Sequence, residues 1–132
     1  MNVFENTFSL AASGMQAQTN RLQTVGENMA NSDTPGYQRK LVTFQAAYNP
    51  LSPDAPTGVE TGNTILSAAP FDEIYSPYHP LADERGIVQG SNVNIMTELA
   101  DASEAGRTYE ANVNMFQQAK RMYSAVLDLI RR

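Results

Sequence analysis

The 132-residue sequence contains no cysteine. Disulfides, thiol nucleophiles and thiolate-bound zinc are therefore excluded together. The same absence suits a chain that crosses unfolded into an oxidising compartment, where stray thiols form wrong bridges. Basic residues are also scarce: nine Lys and Arg stand against fourteen Asp and Glu, giving a net charge of −5. A nucleic-acid binder needs clustered bases to neutralise phosphates. Here the only concentrations are Arg39-Lys40, Lys120-Arg121 and Arg131-Arg132, which read as solvated helix ends or turns. No run of about 18 apolar residues exists, so no helix is long and apolar enough to cross a membrane. The start, Met1-Asn2-Val3-Phe4-Glu5, lacks the basic region and apolar run of a cleavable signal peptide. Any export is expected to proceed without one.

Groups that could carry chemistry are equally sparse. The single histidine, His79, has only Asp83 and Glu84 nearby, short of the ligand count of a zinc centre. A loop hydrogen bond is the expected role of its imidazole. Asp72-Glu73 and the Asp101/Glu104 pair have no positioned nucleophile and no desolvating surroundings. Gly86 and Gly90 are too far apart to cradle a phosphate. We expect no enzyme, no cofactor, no metal site and no small-molecule substrate.

What the sequence does have is helical periodicity at both ends. From about Asn2 to Asn31, Phe4, Phe8, Ala11, Met15, Leu22, Val25 and Met29 recur in steps of four and three, with Gln18 filling the one polar step. That is the heptad seam of a helix packing lengthwise on another. Ala12, Gly14, Ala17 and Gly26 leave little bulk beside it, so a partner backbone can approach. Each glycine costs the helix about 1 kcal/mol relative to Ala, and the helix therefore needs that partner. From about Asn94 to Arg132 a second stripe runs through Leu99, Ala102, Gly106, Tyr109, Val113, Phe116, Lys120, Tyr123, Leu127 and Ile130. Asn94 is placed to cap the first turn, and Arg131 and Arg132 lie where the helix dipole favours cations. Met15, Met29, Met96, Met115 and Met122 fall on or beside the seams as gap fillers. At 1.5 Å per residue the helices are roughly 40 and 55 Å long, the dimensions of a rod-like element.

Between the helices the pattern breaks. Six of the seven prolines fall from Pro50 to Pro80. Short β-type runs appear at 41–44, 63–66, 71–75 and 86–90, while 49–62 reads as an exposed, mobile loop. The expected fold is mainly α with a small β insert. Its N- and C-terminal helices pack as a lengthwise coiled-coil-like pair around a β-containing middle domain. The divisions fall at 1–37, 38–93 and 94–132.

The first helix is followed by Ala30-Asn31-Ser32-Asp33-Thr34-Pro35-Gly36-Tyr37. Asn31 is expected to end the helix in a left-handed conformation. Pro35 and Gly36 suit the two central positions of a type II turn. The stretch resembles the Ala-Asn-x-x-Thr-Pro-Gly-Tyr signature of the bacterial flagellar rod and hook family. Leu10-Ala11-Ala12-Ser13-Gly14-Met15 and Asn28-Met29-Ala30-Asn31 are similar to that family's N-terminal segment. Ser91-Asn92-Val93-Asn94, Glu98-Leu99 and Arg107-Thr108-Tyr109-Glu110-Ala111-Asn112 are similar to its C-terminal one. Tyr75-Ser76-Pro77-Tyr78-His79-Pro80-Leu81-Ala82-Asp83-Glu84-Arg85-Gly86 narrows the likeness to the short proximal-rod members.

The resemblance implies a structural subunit of the flagellar basal-body rod, serving motility by transmitting torque. It further implies export by the flagellar type III apparatus and self-assembly in the periplasm with copies of itself and other rod proteins. The assembly interface is then expected on the two seams, at Phe4, Phe8, Ala11, Met15, Leu22, Val25, Met29, Leu99, Tyr109, Val113, Phe116, Tyr123, Leu127 and Ile130. Each seam is expected to become ordered as copies stack. Two alternatives remain at this point: another flagellar rod subunit, or a secreted coiled-coil adaptor with one foreign helix as its target.

Overall fold

The structure is a computed structural model that describes residues 2–49 and 52–131, with only the backbone described at residues 2 and 52–56. Arg132, expected at a helix end, and Pro50 and Leu51, within the expected loop, lie outside the described residues. The four-and-three spacing of the first seam winds into helix α1, Asn2–Ala30. The second stripe lies on helix α2, Ile95–Ile130. Asn94 is extended at φ −105° and caps α2 by accepting the N–H groups of Met96 and Thr97 at 2.9 and 3.2 Å. The helices run antiparallel: Phe4 meets Tyr123 at one end and Arg21 meets Asp101 further along.

Asn31 departs from expectation, since no described residue other than glycine has a positive φ. Its side-chain amide instead donates to the Glu27 carbonyl at 2.8 Å, satisfying an acceptor that the helix end leaves free. Thr34 to Tyr37 then form the expected tight turn, closed by the Tyr37 N–H on the Thr34 carbonyl at 3.1 Å, with Gly36 at φ 72°. The Gly36 N–H points at the carbonyls of Gln89 and Gly90, at 3.0 and 3.1 Å, and so ties the turn to the far end of the insert.

The insert is two separate antiparallel hairpins. Strand β1, Lys40–Asn49, pairs with β2, Ser52–Leu66. Strand β3, Glu73–Tyr75, pairs with β4, Ile87–Gln89. The expected runs at 41–44 and 63–66 are partners, with Leu41 opposite Ile65 and Val42 opposite Thr64. Sequence patterning makes 49–62 a loop, but the structure places residues 52–62 in β2. Alternation is weak there because the pairing is irregular, with register shifts between Val42 and Phe44 and on either side of Tyr48. Pro56 falls opposite Tyr48 at such a shift, where a residue without an N–H does least harm to the ladder.

Helix α1 is the common wall, packing on α2 on one side and on β1 and β2 on the other. The Val59 N–H, for instance, donates to the Ser13 hydroxyl at 3.1 Å. The two glycines of α1 are not equivalent. A Cβ on Gly14 would lie 2.8 Å from the Asn112 amide nitrogen, whereas one on Gly26 would meet nothing within 4 Å. Gly26→Ala should therefore stabilise the helix by about 0.5–1 kcal/mol through propensity alone. Gly14→Ala should return no such gain unless Asn112 is also shortened to Ser. Urea unfolding followed by far-ultraviolet circular dichroism measures both.

Candidate assembly interface

The seam begins with aromatic rings. Phe4 and Tyr123 meet edge to face at 5.5 Å between centroids, and Phe8 packs against Phe116 at 5.0 Å and Tyr123 at 6.3 Å. Ala11 and Val25 are buried, while Phe4, Phe8, Met15, Leu22 and Met29 are half-buried. On α2 the structure half-buries Val113, Phe116 and Tyr123, but leaves Leu99, Tyr109, Leu127 and Ile130 exposed at 47%, 37%, 38% and 75%.

The face that α2 turns inward differs from the expected stripe at alternate positions. Glu98, Ala105 and Ala119 are buried where the stripe has Leu99, Gly106 and Lys120 one residue later; Gly106 is half-buried, and Asn112 and Val113 are half-buried alike. Ala102, Phe116 and Tyr123 belong to both patterns. A template that follows large apolar residues differs from the inward face at Glu98, Ala105 and Ala119, because at those positions small and polar residues go inside. Ala105 and Ala119 bring the backbones close, and Asn112 fills the notch at Gly14.

At the other end of the pair is a buried polar knot. Glu98 has no exposure to water and Asn28 has 1%. The Asn28 side chain accepts the Lys40 N–H at 2.9 Å and the Tyr37 hydroxyl at 3.1 Å. Its amide nitrogen donates to the Lys40 carbonyl at 2.8 Å and to Glu98 Oε2 at 3.1 Å. The Arg39 guanidinium donates from Nε to Glu98 Oε1, closing a charge-assisted pair. Asn92 accepts the Arg39 N–H at 2.6 Å and donates to the Ser67 and Ala69 carbonyls at 3.1 and 3.0 Å. One connected network thus joins α1, the Thr-Pro-Gly-Tyr turn, the start of β1, the segment just after β2 and the first turn of α2.

Two ion pairs flank it. Arg21 contacts Asp101 and reaches Glu104 at 3.5 Å. Burial works against the Arg21 charge, but the two carboxylates outweigh it and hold the guanidinium above its ordinary pKa. Lys40 is raised in the same sense by its hydrogen bond to Glu27 at 3.0 Å, on an exposed surface where such a pair contributes little.

The remaining motif residues scatter. Ala30 is exposed at the end of α1, and Glu110 and Ala111 are exposed on α2. His79, Pro80, Ala82, Asp83 and Gly86 lie together in the β3–β4 loop, where His79 Nδ1 accepts the Leu81 N–H at 3.1 Å. Sequence reasoning leaves Asn28, Arg39, Asn92 and Glu98 off the site. A signal is present, since an Asn between the seam residues Val25 and Met29 and a Glu beside Leu99 both interrupt apolar faces.

Residues 8–38 match the family described as flagella basal body rod protein, and residues 84–129 match the C-terminal part of the flagellar basal body rod FlgEFG proteins. The chain belongs to the flagellar basal-body rod protein family. Over nearly its whole length it is similar to proteins named flagellar basal-body rod protein FlgC. That of Agrobacterium fabrum is 36% identical over 129 residues, covering 92% of this chain and 91% of the relative. That of Escherichia coli O6:H1 is 36% identical over 131 residues, covering 94% and 96%. That of Aquifex aeolicus is 34% identical over 134 residues, covering 97% of each.

Removing one partner of a buried ion pair strands the other charge. Glu98→Leu should therefore cost about 3–5 kcal/mol, whereas Glu98→Leu with Arg39→Met should recover much of the loss. Urea midpoints of the three chains test this.

Proposed function

We propose that this chain is a structural subunit of the proximal rod of the flagellar basal body, carried out by the type III export apparatus without a cleaved signal. In the periplasm it polymerises with copies of itself and with other rod proteins. The terminal helices make the lengthwise contacts, the two hairpins add contacts at the periphery, and torque passes through many interfaces without chemistry. The rod proteins it resembles along nearly its full length support this reading. They lend nothing to a secreted adaptor.

The observation that carries the proposal is where the large apolar side chains lie. The buried hydrophobic residues among those described are only Ala11, Ala17, Val25, Val88, Val93, Ala105 and Ala119. Meanwhile Val3, Leu10, Met96, Leu99, Met115, Met122, Leu129 and Ile130 are exposed by 45% or more along the two helices. At about 25 cal/mol per Å² of apolar surface, much of the hydrophobic free energy in these side chains is still available for association. Copies stacked along both helices collect it.

Leu129 and Ile130, exposed at 72% and 75%, separate folding from assembly. Leu129→Glu with Ile130→Glu should change the stability of the free chain by less than about 0.5 kcal/mol. The same pair should abolish incorporation into basal bodies and motility in cells lacking the native subunit. Normal swimming with the double variant present in purified basal bodies would refute the role given to α2.

A further inference from the structure

The β3–β4 loop is held by many backbone hydrogen bonds around an almost fully exposed side chain, that of Tyr78. The Ser76 N–H donates to the Gly86 carbonyl at 2.8 Å, and the N–H groups of His79 and Ala82 close successive turns at 3.0 Å each. Asp83 Oδ1 accepts the N–H groups of both Arg85 and Ile87 at 2.8 Å. The Ile87 bond in particular holds this carboxyl below its ordinary pKa, with burial opposing and the Arg85 contacts assisting. Gly86 sits at φ 78°, and a Cβ there would lie 2.9 Å from Pro77 Cβ, so the loop closes only around glycine. Pro77 and Pro80 stiffen it further. At its apex Tyr78 is 99% exposed and has no hydrogen bond, ion pair or ring contact among the described residues. A fixed backbone that presents a bare aromatic ring meets the two requirements of a contact residue: little ordering entropy to lose and a large surface to bury.

The charge around the ring is one-sided. Asp72, Glu73, Asp83 and Glu84 surround it in sequence, with Arg85 the one opposing charge, at 3.6 Å from Asp83. A complementary surface occurs on α2. Gln117, Lys120, Arg121, Ser124, Ala125 and Asp128 line a shallow hollow of about 530 Å³. Lys120 and Arg121 form no ion pair among the described residues. The hollow lies at the far end of α2 from the loop. Lys120 lies about 37 Å along α2 from Ile95, whereas the hairpin that carries the loop is tied beside the start of α2, through the Gly36 N–H on the carbonyls of Gln89 and Gly90.

Building on the rod-subunit reading above, we propose that the Tyr78 loop of one copy docks on the Lys120–Ala125 hollow of a neighbouring copy. The ring covers Ser124 and Ala125, and the acidic rim faces Lys120 and Arg121. Such a contact is head-to-tail, and contacts of that kind propagate into an open helical assembly.

The cysteine-free chain allows a clean test. Tyr78→Cys, Ala125→Cys and the double variant are expressed in cells lacking the native subunit, and purified basal bodies are treated with a short bis-maleimide. Cross-linked multimers of this chain in the double variant, absent from either single variant, are expected. Incorporation of all three chains without such multimers, or cross-linking of the Tyr78→Cys chain to a different protein, overturns the inference while leaving the rod reading intact. Absence of the unsubstituted chain from basal bodies defeats the rod reading itself. A charge exchange covers the case in which the cysteines block assembly. Glu84→Lys and Lys120→Glu should each reduce swimming, and together restore it. Unimpaired single variants, or no recovery in the pair, overturn the docking contact.

Discussion

A carboxylate with no access to water, Glu98, is tolerable only where a counter-charge and hydrogen-bond donors are already in place. Arg39 supplies the charge and Asn28 the donor, and both come from a part of the chain far from Glu98. The network can be satisfied only when the end of α1, the tight turn, the start of β1 and the first turn of α2 are assembled together. Apolar packing tolerates sliding and rotation, whereas these bonds have one geometry. The knot therefore sets the register of the helix pair and the direction in which the insert leaves it.

Away from the knot the restraint weakens. The interface between the helices is made of alanines, a glycine notch filled by Asn112, and a cluster of half-buried aromatic rings. Close approach of backbones gives many small contacts but little buried surface per residue. Gln18 illustrates the looseness, its side-chain oxygen being buried without a hydrogen-bond partner among the described residues. A subunit of this kind is defined at one end and adaptable along its length.

The two helices, the turn and the existence of a β insert are legible in the sequence. Their signals are local: heptad spacing, an Asn cap, a Pro-Gly pair and a cluster of prolines. The inward face of α2 is legible only in part, because hydrophobic size points to Leu99 while the structure buries Glu98, and Asn112 shares the inward side with Val113. Those choices depend on Arg39, Asn28 and Gly14, which no local pattern in α2 reveals. The first part of β2, residues 52–62, is hidden for a related reason: its irregular pairing with β1 erases the alternation that marks a half-buried strand. The motif residues are readable as a family signature, but their physical division of labour is not. Tyr37 serves the knot, while His79, Asp83 and Gly86 shape a separate loop.

Hydrogen exchange on the isolated chain tests most directly whether one buried network organises a subunit whose ends await partners. Protection should be greatest at the amides of Arg39 and Lys40 and in the adjoining turns of α1 and α2. It should fall steadily toward Phe4 on one helix and Ile130 on the other. Uniform, strong protection of both helices out to those ends would show that the pair is complete without its neighbours and would contradict the account.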